Sequence, residues 1–160
     1  MGKRIFIIAL TMISLSFIAA SCSSPTNQAG ESDEVDISAY NFPNYIQEAT
    51  YPGSMDAYIY AVDTRNEDFL EYLPCYCSCH QEPFEHNSVK DCFLNKDLTT
   101  DEQFAYDPHG ANCGICIDTV LDTKRLKSEG KSLTEIRDYI DENYSHFAEP
   151  TPSPYPPEGV

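Results

Sequence analysis

Six cysteines occupy the middle of this chain. They run C-x-C-x-C at Cys75, Cys77 and Cys79, then Cys92, then C-x-x-C at Cys113 and Cys116. Whether they pair, hold a metal or exchange electrons, each use requires three distant segments to meet. That requirement restricts the fold more than any other feature of the sequence. Cysteines two apart cannot bond to one another without strain, because a disulfide fixes both the Cβ separation and the torsion. Cys75, Cys77 and Cys79 would therefore need three partners, and Cys92, Cys113 and Cys116 supply them. A set of bridges is thus permitted, in keeping with an exported chain.

A soft-metal site is the leading expectation. Thiolates at i and i+2 of an extended run, or at i and i+3 of a helix, point the same way. Cys113 and Cys116 fall in the first turn of a helical pattern, where backbone N–H groups and the helix dipole favour a thiolate. Sulfur donors without an oxygen cage suit Cu(I) or Zn(II), not calcium or magnesium. Zinc prefers cysteine arms with about two to four intervening residues, and only one of the two cysteine groups has that spacing. The C-x-C-x-C run can bridge several monovalent ions, so Cu(I) is preferred and Zn(II) is the alternative. His80, His86 and His109 lie in or beside the cysteine segments. His80 and His109 are the candidate auxiliary ligands.

Other chemistries find less support. "CGIC" heading a helix looks like an oxidoreductase motif, but the βαβ pattern that normally carries it is missing. No Gly-rich phosphate loop, Gly-x-Ser-x-Gly or His-Glu-x-x-His occurs. Asp91 and Asp107 read as turn or cap residues. No catalytic residue is assigned, and the chain reads as a binder and not as an enzyme. A disulfide-stabilised cell-surface interaction module is the alternative, followed by an extracytoplasmic thiol oxidoreductase.

The start of the chain indicates where this chemistry takes place. Lys3 and Arg4 precede the apolar run "IFIIALTMISLSFIAA", which closes in "ASC". This is the pattern of a signal peptide over 1–21, too short for a membrane helix of about 20 apolar residues. "IAASC" resembles a bacterial lipobox, with Cys22 as the lipidated residue and Ala19 where leucine is usual. Loss of Lys3 and Arg4 would take the net charge from −16 to −18. Such a surface repels nucleic acid and anionic lipid. Attachment to the membrane would then depend on the acyl chains of Cys22.

Residues 22–44 follow as anchor and flexible acidic tether, almost without large apolar residues at first. Residues 45–148 form one domain. Residues 149–160, "EPTPSPYPPEGV", hold five prolines and should be an extended, mobile tail. Within the domain the periodicities are helical. "PGSMDAYIYAVDT" offers Ser54 as an N-cap. "NEDFLEYLP" suggests a helix from Asn66 to Leu73, stopped by Pro74. "ANCGICIDTVLDTKRLKSEG" and "SLTEIRDYIDENYSHF" should form an antiparallel hairpin, the second opening in a capping box of Ser132 and Glu135. Residues 75 to 111 between them are irregular. The expected fold is all-α: a small helical domain with a helical hairpin at its C-terminal end and a cysteine-rich insertion.

Four blocks in order, "LPCYCSC", "HNSVKDCF", "YDPHGANCGICID" and "GKSLTEIRDYIDENY", resemble the bacterial family named for its PCYCGC motif. The resemblance covers about 55 to 144, and Ser78 stands where the family has glycine. It implies an extracytoplasmic, cysteine-rich lipoprotein on the membrane of a Gram-positive bacterium. It carries no activity with it. The metal, and any protein that donates or accepts it, are expectations from the cysteines alone.

Overall fold

The computed structural model describes residues 36–67, 69–100 and 103–157. The expected leader and Cys22 lie outside the described residues. Four α-helices and no strands occur among them: α1 Asn44–Gln47, α2 Ser54–Asp63, α3 Gly114–Ser128 and α4 Leu133–Tyr144. The all-α expectation holds. Between α2 and α3 the described residues include 3-10 turns at Phe69–Tyr72, Lys90–Cys92 and Pro108–Ala111, and one antiparallel bridge between Leu94 and Tyr106.

The hairpin of α3 and α4 follows from local chemistry. Gly130 takes φ 80°, which an L side chain rarely adopts. This lets the Lys131 N–H reach the Leu126 carbonyl at 3.1 Å and the Gly130 N–H reach that of Lys127 at 3.0 Å. Both bonds close orphan carbonyls at the end of α3. The Ser132 hydroxyl then accepts the Glu135 N–H at 3.2 Å, and the Glu135 carboxylate accepts the Ser132 N–H at 2.9 Å. Past this turn, Ile136, Ile140 and Tyr144 of α4 are buried, as are Ile117 and Val120 of α3. The Tyr144 hydroxyl donates to Asp122 across the pair at 2.7 Å.

Helix α2 covers the other side of α3 with Ala57, Tyr58, Ala61 and Val62. Tyr58 meets Phe93 edge-on at 5.0 Å, and its hydroxyl donates to the Asp107 carbonyl. Two local expectations are overturned by the structure. Ser54 is the first residue of α2 and not its cap; Gly53 holds the cap position at φ 79°. The Ser54 hydroxyl instead donates to the Ala111 carbonyl at 2.8 Å, tying α2 to the turn ahead of α3. The helix expected from Asn66 to Leu73 is only the 3-10 turn Phe69–Tyr72. Burial of Phe69, Leu70 and Leu73 is achieved without a full α-helix.

Both ends of the expected domain extend further than composition suggests. Residues 36–44, assigned to the tether, join the fold: Tyr40 stacks on Phe42 at 5.1 Å, and Phe42 packs against Tyr58 and Tyr106. The proline-rich end is extended as expected, but residues 149–157 are held in place. Thr151 is 2% exposed. Its N–H donates to the Cys75 carbonyl at 3.0 Å and its hydroxyl accepts the Cys75 N–H at 2.9 Å. Arg137 donates to the Pro154 carbonyl at 3.1 Å, and Tyr155 donates to Asp138. Prolines preset an extended path, so little further ordering is needed for these contacts to form.

Candidate metal centre

Each cysteine segment reaches the site by its own device. The first is the strand-like run from Pro74. Thr151 holds the Cys75 backbone at both ends, its N–H donating to the Cys75 carbonyl and its hydroxyl accepting the Cys75 N–H, which fixes the direction of the run. The alternation then carries Cys77 and Cys79 along. At Ser78 the chain enters the left-handed region, φ 65°, and the Gln81 N–H closes a turn on the Ser78 carbonyl at 3.2 Å. This is the position where the PCYCGC pattern has glycine. The backbone there adopts the conformation glycine favours, and serine tolerates it.

The second segment is pinned through its backbone. The Val89 N–H donates to the Leu73 carbonyl and the His86 N–H to the Cys79 carbonyl, both at 2.9 Å. Cys92, on the turn Lys90–Cys92, is thereby set against Cys79. The third segment combines the turn Pro108–Ala111 with the start of α3. Asp107 caps the turn, its carboxylate accepting the His109 N–H at 2.8 Å. Asp91 likewise accepts the Asn87 N–H, at 2.7 Å. Both aspartates are turn and cap residues, as their sequence setting suggests. At Gly110 a Cβ would lie 2.6 Å from the Cys92 carbonyl. Only glycine lets the His109 turn pass so close to the Cys92 segment. Cys113 takes the cap position of α3, and Cys116 follows one turn on.

The six sulfurs form one cluster. Cys75 Sγ lies 3.3 Å from Cys77 and 3.1 Å from Cys116. Cys77 is 3.5 Å from Cys116 and 3.2 Å from His109 Nε2. Cys113 is 3.1 Å from Cys116, and Cys79 is 3.6 Å from Cys92. A disulfide would hold its sulfurs at about 2.05 Å, so these six cysteines are free thiols. Sulfurs bound at about 2.3 Å around one tetrahedral ion would be roughly 3.8 Å apart. The observed separations are those of donors that converge on common points.

The donors divide into two groups. One is Cys77, His109, Cys113 and Cys116; the other is Cys75, Cys79 and Cys92. The first has the Cys3His composition of many tetrahedral zinc sites. It also contains the accessible edge: Cys77 and Cys113 are half-buried, whereas Cys75, Cys79, Cys92 and Cys116 are at most 1% exposed. The contact between Cys75 and Cys116 joins the two groups. Of the two auxiliary histidines expected, His109 is in place and His80 belongs to neither group. His80 follows the turn at Ser78, where the alternation of the run ends.

Electrostatics make this an unsettled site without a cation. Burial pushes the Cys92 and Cys116 thiols well up. Cys77 goes the other way, because the Cys113 and then the Cys116 thiol hydrogen-bond to its sulfur. His109 rises to about 10, through Cys113 and then Cys77, which outweigh its burial. The Cys79 thiol, although buried, is also held down, by the Cys116 and then the Cys75 thiol, so the protons are held unevenly across the cluster. A soft cation would take their place, and its binding would release them.

The chain belongs to the family of proteins of unknown function with a PCYCGC motif. That family's model matches residues 11–156, which include all six clustered cysteines, His86 and His109. No curated protein and no solved structure matches the chain. The chemistry of this PCYCGC protein is therefore read from its own residues. Two of those residues hold places that sequence spacing does not give: His86, one of three histidines near enough in sequence to complete a metal shell, and Asp107, a cap or turn residue by its setting. Both are buried or half-buried beside the cluster, and their proximity in space leaves no spacing signal in the sequence.

Proposed function

We propose that this PCYCGC protein is a lipid-anchored, extracytoplasmic binder of soft metal ions, Cu(I) ahead of Zn(II), and not an enzyme. It holds its ions at the cell surface or exchanges them with another protein. One observation carries the reading: six thiols and an imidazole from three segments converge in a largely buried cluster whose neighbouring sulfurs lie 3.1–3.6 Å apart, too far for a bridge. Copper is favoured because Cys75 lies within reach of both Cys77 and Cys116. Sulfurs shared in this way suit several monovalent ions better than one tetrahedral divalent ion. The net charge of −16 would raise the local concentration of cations.

The anchor rests on the sequence alone, on the basic start and short apolar run that end in Cys22. Anaerobic loading with Cu(I) or Zn(II), followed by intact mass in native and denaturing conditions, tests the binding. Retained metal that shields the cysteines from alkylation is the expected result. A metal-free protein lighter by two hydrogens per bridge would overturn it in favour of a disulfide-stabilised module. Separately, Cys22→Ala should release the protein from the membrane to the medium. Unchanged retention would remove the lipid anchor.

A further inference from the structure

Two histidines beside the cluster have a buried Nδ1 without a hydrogen bond, His80 and His86, and of the two His86 is the more deeply buried. His86 is 6% exposed, and its Nδ1 is fully buried without a hydrogen bond. Its other nitrogen, Nε2, lies 3.5 Å from the Asp107 carboxylate. An imidazole held only for packing would not leave one ring nitrogen dry and unpaired, because buried polar atoms are almost always satisfied. The His86 backbone is bonded to Cys79, N–H to carbonyl, at 2.9 Å. The Cys79 thiol also bears on the His86 ring. Cys79 belongs to the group of three sulfurs within 4.8 Å of one another, and in this structure the His86 ring stands outside that distance, next to the group and not in it.

We propose that the cluster holds two soft ions and that His86 Nδ1 is the fourth donor of the inner one, with Cys75, Cys79 and Cys92. The inference rests on the soft-metal reading above and goes further by assigning the second position and its ligand. The two positions then have the same composition, three cysteines and one histidine each. Asp107 serves both. Its Oδ2 faces the His86 ring and its Oδ1 accepts the His109 N–H at 2.8 Å. A histidine ligand commonly presents its second nitrogen to a carboxylate, which fixes the tautomer and aims the first at the metal. Asp107 is itself rigid, since its N–H donates to the Phe93 carbonyl at 3.0 Å and its carbonyl accepts the Tyr58 hydroxyl. His109 and His86 meet edge-on with ring centroids 5.3 Å apart, so the two positions adjoin.

The test uses the full chain and cadmium as the probe, because 113Cd reports its donors by NMR. Wild type should bind two Cd(II), each with a thiolate-rich resonance, and one should couple to 15N of the His86 ring. His86→Asn offers an amide that is no ligand for a soft ion, and should weaken the second equivalent at least about tenfold while the first remains. Asp107→Asn can still accept the His109 N–H. It should weaken the second equivalent by about 10–100-fold with all eight donors present, which keeps the proposal open to refutation if the His86 variant does not fold. Two ions bound with wild-type affinity by both variants would overturn the assignment, as would a wild type that takes a single ion. A wild type that takes none would instead overturn the soft-metal reading beneath it.

Discussion

At Ser78 a single side chain separates this chain from the motif of its family. With φ 65° the residue stands where an L side chain crowds the following carbonyl, at a cost of roughly 1–2 kcal/mol. Glycine avoids that cost but gains about 0.5–1 kcal/mol of freedom in the unfolded chain. Ser78→Gly should therefore stabilise the protein by up to about 1 kcal/mol in urea denaturation, and Ser78→Ala should not. A Gly variant no more stable than wild type would mean that the serine side chain compensates for its backbone. A second residue ties stability to pH. The Glu135 carboxyl is held down to about 2, by Lys131 first and then by the Ser132 N–H and hydroxyl. A depressed carboxyl stabilises the fold above its unfolded value, about 4.3, and the contribution disappears as pH falls toward 2. Between those limits the thermal midpoint of wild type should fall more steeply than that of Glu135→Gln. Equal slopes would take the carboxylate out of the capping box.

Among the elements, the hairpin of α3 and α4 was the most legible. Its signals are local: Gly130 after α3, Ser132 and Glu135 opening α4, and a stripe of Ile136, Ile140 and Tyr144 with the 3.6-residue period. Each can be read without knowing what the helix touches. The Asn66–Leu73 segment shows where such reading stops. Its cap, acids and apolar positions fit a helix, but whether a short segment becomes an α-helix or a 3-10 turn depends on the core that receives Phe69 and Leu70. Ser54 shows the same limit, since its hydroxyl had a better acceptor at Ala111, distant in sequence. The hairpin also permits a quantitative test. Ile140 has no exposed surface, so Ile140→Ala should cost about 2–5 kcal/mol by urea denaturation. A cost within about 0.5 kcal/mol, as at surface sites, would place that face of α4 in solvent.

For the whole molecule, the cluster was foreseeable and its support was not. The cysteines announce themselves by residue type, and six of them with three histidines nearby leave few chemistries open. Nothing in the composition of residues 149–157 announces that they close over the first cysteine segment. Threonine and proline are ordinary in mobile tails, and docking depends on tertiary partners such as Arg137 and the Cys75 backbone. The consequence is that the proline-rich end is part of the metal centre's scaffold. Thr151 is its contact with the run. Thr151→Val keeps the shape and the Thr151 N–H bond to the Cys75 carbonyl, but removes the acceptor of the Cys75 N–H. That buried N–H would then be unpaired, at about 1–3 kcal/mol. Thr151→Ser retains the hydroxyl and should remain close to wild type. Because Cys75 sits where the two donor groups touch, the Val variant should also expose it: alkylation of Cys75 in the metal-free protein should accelerate relative to Cys92, which the tail does not hold. If Thr151→Val and Thr151→Ser are equally stable and alkylate alike, the tail lies over the site without supporting it.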